Sequence, residues 1–187
     1  FVADKAAKKI HLFNNPTDAA SLIRYQTISQ EFADAFAYYS PATHRRTVAI
    51  FGSNGVVSWY NVRMEKQPDV VLPYRIMRVV LLKATGAFDP LFAVIDTDGK
   101  IHKLDSNFNE VSVLSDNFYV NCHESLDAYI TRDGKLVGTD VWVNASTSTQ
   151  FFYAFAPGTD DVYSYNGANC ALSRYTIKLG GYTDLGI

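Results

Sequence analysis

The sequence predicts an α+β protein, mainly β: an antiparallel, hairpin-rich sheet (sandwich, meander or partial propeller-like) with one N-terminal amphipathic helix. Three observations lead there. From about residue 47 onward, Asn-Gly, Asp-Gly and Pro-Gly pairs stand between short runs of β-branched and aromatic residues, the pattern of tight hairpins. Tyr, Phe and Trp make up 14% of the 187 residues, and polar turn-forming residues fill the gaps between apolar runs, which suits strands joined by tight turns. Before residue 47, apolar residues recur at helical spacing instead.

That N-terminal helix is expected over residues 16–39. Asn15 is a good N-cap, Pro16 fits the first helical position, and Asp18 falls in the first turn, where the helix dipole favours an anion. Leu22, Tyr25, Ile28, Phe32, Phe36 and Tyr39 then recur every three or four residues, marking one face, and Ser40-Pro41 ends the run. Residues 1–15, with Ile10, Leu12 and Phe13, read as an N-terminal arm or short strand. Residues 16–187 read as a single β-rich domain that includes the helix.

Three hairpins align around their turn glycines: Val48-Ala49-Ile50-Phe51 before Asn54-Gly55, Phe92-Ala93-Val94-Ile95 before Asp98-Gly99, and Asp127-Ala128-Tyr129-Ile130 before Asp133-Gly134. A fourth, Tyr153-Ala154-Phe155 before Gly158, is looser. Gly55, Gly99 and Gly134 are 44 and then 35 residues apart. The stretch from Ala93 to Asp105 resembles the inner hairpin of a β-propeller blade. Beside a helix over 16–39 only about three such blades would fit, fewer than a closed ring needs, so a sandwich, an open meander or a small barrel is expected ahead of a closed propeller. Further strands are read from about Tyr74, after Pro73, and at Leu172 to Leu179, with residues 180–187 as a tail.

Charge and composition narrow the function classes. The net charge is -2 and the densest basic points, Lys8-Lys9 and His44-Arg45-Arg46, are short, which argues against nucleic acid as a partner. The most apolar run, Val79 to Leu82, is flanked by Arg78 and Lys83, far short of a membrane span. The Phe1 start shows no leader and fits a processed or truncated N-terminus.

Residues able to do chemistry are few and scattered. Asp96-Thr97-Asp98-Gly99 lacks the later ligands of a calcium loop and reads as a turn. Cys122-His123-Glu124 sets a thiol beside an imidazole, but adjacent residues of a strand point to opposite faces. No zinc set, phosphate loop or nucleophile elbow is legible, so no catalytic residue, metal ligand or cofactor is assigned. Cys122 and Cys170 are candidates for one disulfide, whose loop of roughly 48 residues would add about 3–4 kcal/mol. Asn144, in Asn144-Ala145-Ser146, is a candidate glycosylation site. Tyr153, Tyr163, Tyr165 and Tyr175 are candidate interface aromatics.

The function expected from these features is non-enzymatic: a structural or assembly protein, such as a virion coat or tail subunit or a filament subunit. It would pack against other protein subunits as a homo-oligomer or larger assembly, on a virion or outside a cell. The alternatives are a carbohydrate- or receptor-binding module, and a thiol-dependent hydrolase using Cys122 and His123.

Overall fold

The computed structural model describes residues 2–14, 23–40, 44–61, 63, 65–83, 89–138, 151–177 and 181–184. Among them the chain forms five sheets, and each is built from strands consecutive in sequence. Sheet one is β1 (Val2–Asp4), β2 (Lys9–Asn14) and β3 (Ile23–Ser29). Sheet two is β4 (Asp34–Ser40), β5 (Arg45–Phe51), β6 (Val56–Tyr60) and β7 (Val70–Val71). Sheet three is β8 (Ile76–Leu81), β9 (Phe92–Asp96), β10 (Ile101–Leu104) and β11 (Glu110–Leu114). Sheet four is β12 (Tyr119–Cys122), β13 (Ala128–Thr131) and β14 (Leu136–Gly138). Sheet five is β15 (Phe151–Phe155), β16 (Asp161–Asn166), β17 (Ala171–Thr176) and β18 (Gly181–Asp184). Within each sheet the strands lie side by side in chain order, as local meanders.

The helix expected over 16–39 is not found. Residues 15–22 lie outside the described part, and the rest of the stretch is two strands, β3 and β4, joined at residues 30–33. Of the residues at helical spacing, Ile28 and Phe32 are buried, Phe36 is partly buried and Tyr39 is exposed, so they do not share one face. In β4, Ala37 and Tyr39 are exposed while Tyr38 and Ser40 are buried, the period of two that a strand imposes. β4 gains a full-length partner in β5, from Asp34 opposite Phe51 to Ser40 opposite Arg45, and this tertiary pairing overrides weak local helix propensity. The supposed arm is likewise paired, with β2 registered along β3 from Lys9–Ser29 to Asn14–Ile23. At the other end, residues 181–184 of the expected tail form β18 beside β17.

One turn design recurs. In sheets one to four a backbone N–H donates to the carbonyl three residues earlier, and that donor residue has positive φ: Lys8 to Lys5, Gly55 to Gly52, Gly99 to Asp96, Gly134 to Thr131. Its own carbonyl then accepts from the chain leading into the following sheet in three cases: from the connector residues Gln30 to Lys8 and Leu72 to Gly55, and from Tyr119, the first residue of β12, to Gly99. The last contact is close: a Cβ on Gly99 would stand 2.5 Å from the Phe118 ring, and φ there is 77°. Only glycine meets both demands without strain.

The chain divides into two compact units, residues 1–79 and 80–187. In the first, Ile10 and Ile28 of sheet one cluster with Val48, Ile50 and Tyr60 of sheet two and with Phe32 of the connector. Asp34 ties the unit further, binding Lys5 at 2.6 Å and accepting from the Val79 N–H at 2.8 Å.

The second unit has two apolar layers. Ala93, Ile95 and Ile101 of sheet three pack with Tyr119, Cys122, Tyr129 and Val137 of sheet four. Ala128, Ile130 and Leu136, from the opposite face of sheet four, pack with Tyr153, Phe155 and Val162 of sheet five. Successive residues of β13 thus serve different layers. Among the described residues no helix is long and apolar enough to cross a membrane.

Candidate functional site

The side chains with the greatest chemical potential are used by the fold. Cys122, 2% exposed, lies in the layer between sheets three and four. The next residue, His123, is 1% exposed and sends its ring the other way, to sheet five. Its Nε2 donates to the Thr159 carbonyl at 2.7 Å, since a carbonyl can only accept. Nδ1 then receives the Ser125 hydroxyl at 2.6 Å and the Ser125 N–H at 3.2 Å. The ring meets Phe155 edge-on at 5.4 Å. Both nitrogens are occupied, and the pair is split between two layers.

Beside this node Lys83, after β8, bonds Glu124 at 2.8 Å and approaches Asp160 at 3.6 Å. The hydrogen bond to Glu124 raises the Lys83 pKa above the ordinary lysine value. Connectors of sheets three, four and five therefore meet in one polar cluster that joins all three.

A second histidine staples sheet three. His102 of β10 contacts Asp96 of β9 at 3.0 Å through Nε2 and Glu110 of β11 at 2.7 Å through Nδ1. Asp96 also accepts the N–H groups of Asp98 and Lys100 at 2.9 and 2.8 Å, which shapes the turn. The residues that suggested a calcium loop instead organise three adjacent strands, and no cluster among the described residues could hold a metal ion.

What remains open is one face of sheet five. The register sets Phe152 opposite Tyr165, Ala154 opposite Tyr163, Tyr163 opposite Arg174 and Tyr165 opposite Leu172. With Val162 buried inward, alternation turns Phe152, Ala154, Asp161, Tyr163, Tyr165, Leu172, Arg174 and Thr176 outward. Phe152 is 66% exposed and Tyr165 39%, and their ring centroids lie 6.4 Å apart. A hydrogen bond with Cys170 raises the Tyr165 pKa above its ordinary value. On the same face Arg174 keeps a buried Nε with no hydrogen-bond partner, while Asp161 accepts from the Thr176 hydroxyl at 3.0 Å.

The first unit carries a different feature, a polar groove of about 410 Å³ lined by Glu31, Ser53, Asn54, Ser58, Lys66, Asp69 and Arg75 among others. Lys66 bonds Asp69 at 3.1 Å and lowers its pKa, and Ser58 donates to the same carboxylate at 2.9 Å.

Of the residues singled out by sequence, Tyr163 and Tyr165 are on the open face, Tyr153 is in the inner layer, and Tyr175 lies opposite Val162 in the register. Cys122 and Cys170 stand as separate free thiols, buried and exposed respectively. Asn144 lies outside the described residues. Phe152, Leu172 and Arg174 were missed, because their direction follows only once Val162 is known to point inward.

No family model matches the chain, and no curated protein matches it. Its likeness is to solved structures. Hsv2 of Kluyvelomyces marxianus matches with a TM-score of 0.55 at 11% identity, covering 94% of this chain and 57% of that one. A functionally unknown protein from Desulfotomaculum acetoxidans matches at 0.59 and 11%, covering 99% and 64%. BBS1N, solved in complex with ARL6DN, matches at 0.51 and 19%, covering 72% and 40%. The chain spans less than two thirds of each of these. Such neighbours are β-propeller-like, and the likeness is one of fold.

Proposed function

We propose that this chain is a propeller-type scaffold that works by binding protein, with its five meander sheets acting as blades. The observation that carries the reading is the apolar outward face of sheet five, where Phe152, Tyr163, Tyr165 and Leu172 sit together with an under-bonded arginine. Tyr, Phe and Arg are the residues enriched at protein interfaces and at their energetic centres. The blade reading rests on sheets formed in chain order, on the recurring turn, and on the propeller-like neighbours. It replaces the sandwich or barrel favoured by sequence, because the segment once read as helix supplies strands. BBS1N, a neighbour in fold, was solved with a protein partner, which accords with a binding role. The coat, tail or filament subunit expected from the sequence is one form of that role.

A thiol-dependent hydrolase finds less support, since Cys122 is buried and His123 is engaged at both nitrogens. Thiol alkylation of the native chain tests the choice. Binding predicts rapid modification of Cys170 and very slow modification of Cys122. Fast, pH-dependent alkylation of Cys122 would favour the enzyme. Exposed Phe152 and Tyr165 also suit stacking on a sugar, and a glycan array that returns specific binders lost in Phe152→Ala would move the reading to a carbohydrate module.

A further inference from the structure

We infer that the free edge of β11 is a docking site for an extended segment of another protein, which pairs with it as a further strand of sheet three. This surface is separate from the outward face of sheet five and does not depend on it. β10 pairs along one side of β11, and among the described residues no ladder or backbone bond occupies the other side. A sheet stacked on sheet three covers a face, as sheet four covers Ala93, Ile95 and Ile101, and leaves the strand edge as it is. The opening at β11 therefore belongs to sheet three itself.

The strand lacks the usual protection of an edge. Edges are blunted by shortness, by Lys or by Pro. β7 has two residues between Pro68 and Pro73, and β14 has three. β11 has five, Glu110-Val111-Ser112-Val113-Leu114, with no Lys or Pro, and its first four residues are all exposed. Val111 is 51% exposed and Val113 42%. Its pairing is irregular only toward Glu110, whose carboxylate is tied to His102 at 2.7 Å. Ser112, Val113 and Leu114 run in even register with Lys103, His102 and Ile101.

The edge selects its occupant by chemistry. Alternate residues of an antiparallel strand turn their N–H and C=O to the free side, about 7 Å apart, a spacing that an extended backbone matches. Val111 and Val113 favour apolar or β-branched residues on the added strand. Charge sets the two ends. Glu110 opens the strand and Asp116 follows it, both exposed, whereas Lys103 of the neighbouring strand lies opposite Ser112, in the middle. The fitting segment is therefore as long as β11, apolar at its centre, with Lys or Arg at each end.

Hydrogen exchange of the full chain with a synthetic probe, acetyl-Lys-Val-Thr-Val-Thr-Val-Lys-amide, tests this. At saturating probe the amides of residues 110–114 should exchange about tenfold more slowly or better. Proline in place of the central valine of the probe should abolish the effect, and glutamate in place of its lysines should weaken it. Successive N–H groups point to opposite sides of a strand, so either Ser112 or Val113 donates to the free side. Of Ser112→Pro and Val113→Pro, the variant that keeps the parent's melting temperature should no longer respond to the probe. No slowing at 110–114, equal slowing by the proline probe, or a response retained in that variant would overturn the docking site. Slowing at 110–114 without probe as the chain is concentrated, with sedimentation mass rising toward twice the monomer, would give the edge to a second copy and overturn the partner segment.

Discussion

Sheets four and five of the second unit are built alike and buried differently. Both are antiparallel meanders with one almost wholly apolar strand, Ala128-Tyr129-Ile130 of the central β13 in one and Phe151-Phe152-Tyr153-Ala154-Phe155 of the edge strand β15 in the other. In sheet four alternate residues enter two separate layers, Tyr129 toward sheet three and Ala128 and Ile130 toward sheet five. In sheet five only the Tyr153 and Phe155 side is covered, and Phe152 is left 66% exposed. Equal sequence character thus hides unequal burial, and the uncovered half is the part available for work.

Substitutions on the two sheets give the largest contrast. Ile130→Ala removes a side chain buried at 8% exposure and should cost about 2–4 kcal/mol in urea unfolding. Phe152→Ala, measured on the monomer, should stay within about 0.5 kcal/mol of the parent. Equal losses at the two positions would mean that the outward face is covered within the chain.

The histidine between the sheets comes next. His123→Ala leaves the Thr159 carbonyl and the Ser125 N–H without their partner and should cost about 1–3 kcal/mol. Amide exchange should quicken in residues 155–161, on the sheet five side of the bond. A stability loss with unchanged exchange there would separate His123 from the joining of the sheets.

A smaller contrast lies between two turn glycines of similar φ, 77° at Gly99 and 78° at Gly158. Alanine at 158 meets nothing within 4 Å, so only backbone strain is added, about 1 kcal/mol. Alanine at 99 adds the same strain and drives its Cβ into Phe118, so Gly99→Ala should be clearly the worse in thermal unfolding. Equal costs would remove the claim that the Gly99 turn is wedged against the connector.

The mildest effect is alkaline. Burial raises the Tyr129 pKa from 10.0 to about 12. The folded value lies above the unfolded one, so the stabilisation is complete below pH of about 10 and is lost as pH climbs toward 12. Phenolate absorbance of the native chain, compared with a Tyr129→Phe variant, should show this ring ionising late. Ionisation near pH 10 would mean that the layer between sheets three and four is wetter than described.

The hairpins were legible in the sequence wherever glycine marks the left-handed residue of a turn, at Gly55, Gly99, Gly134 and Gly158. The matching turn of sheet one was not, because Lys8 takes that conformation at φ 54° without a glycine to announce it. The turn between β16 and β17 does follow Asn166-Gly167, as that pair suggests, but its positive φ falls at Cys170. Strands β3 and β4 were misread because Tyr25, Ile28, Phe32, Phe36 and Tyr39 happen to fall at a helical period, and the full-length pairing of β4 with β5 sets the conformation instead. At the candidate site Tyr163 and Tyr165 could be named from aromatic density alone. Distinguishing them from the inward Tyr153, and adding Phe152 and Arg174, required the register.

The central claim is that sheet five carries an aromatic pair on the side of the sheet turned away from sheet four. Hydroxyl-radical footprinting of the full chain tests it most directly. Heavy oxidation of Phe152 and Tyr165 is expected, with Tyr129 and Phe155, packed in the layers on either side of sheet four, oxidised far less. Phe152 and Tyr165 as protected as Tyr129 and Phe155 would contradict it.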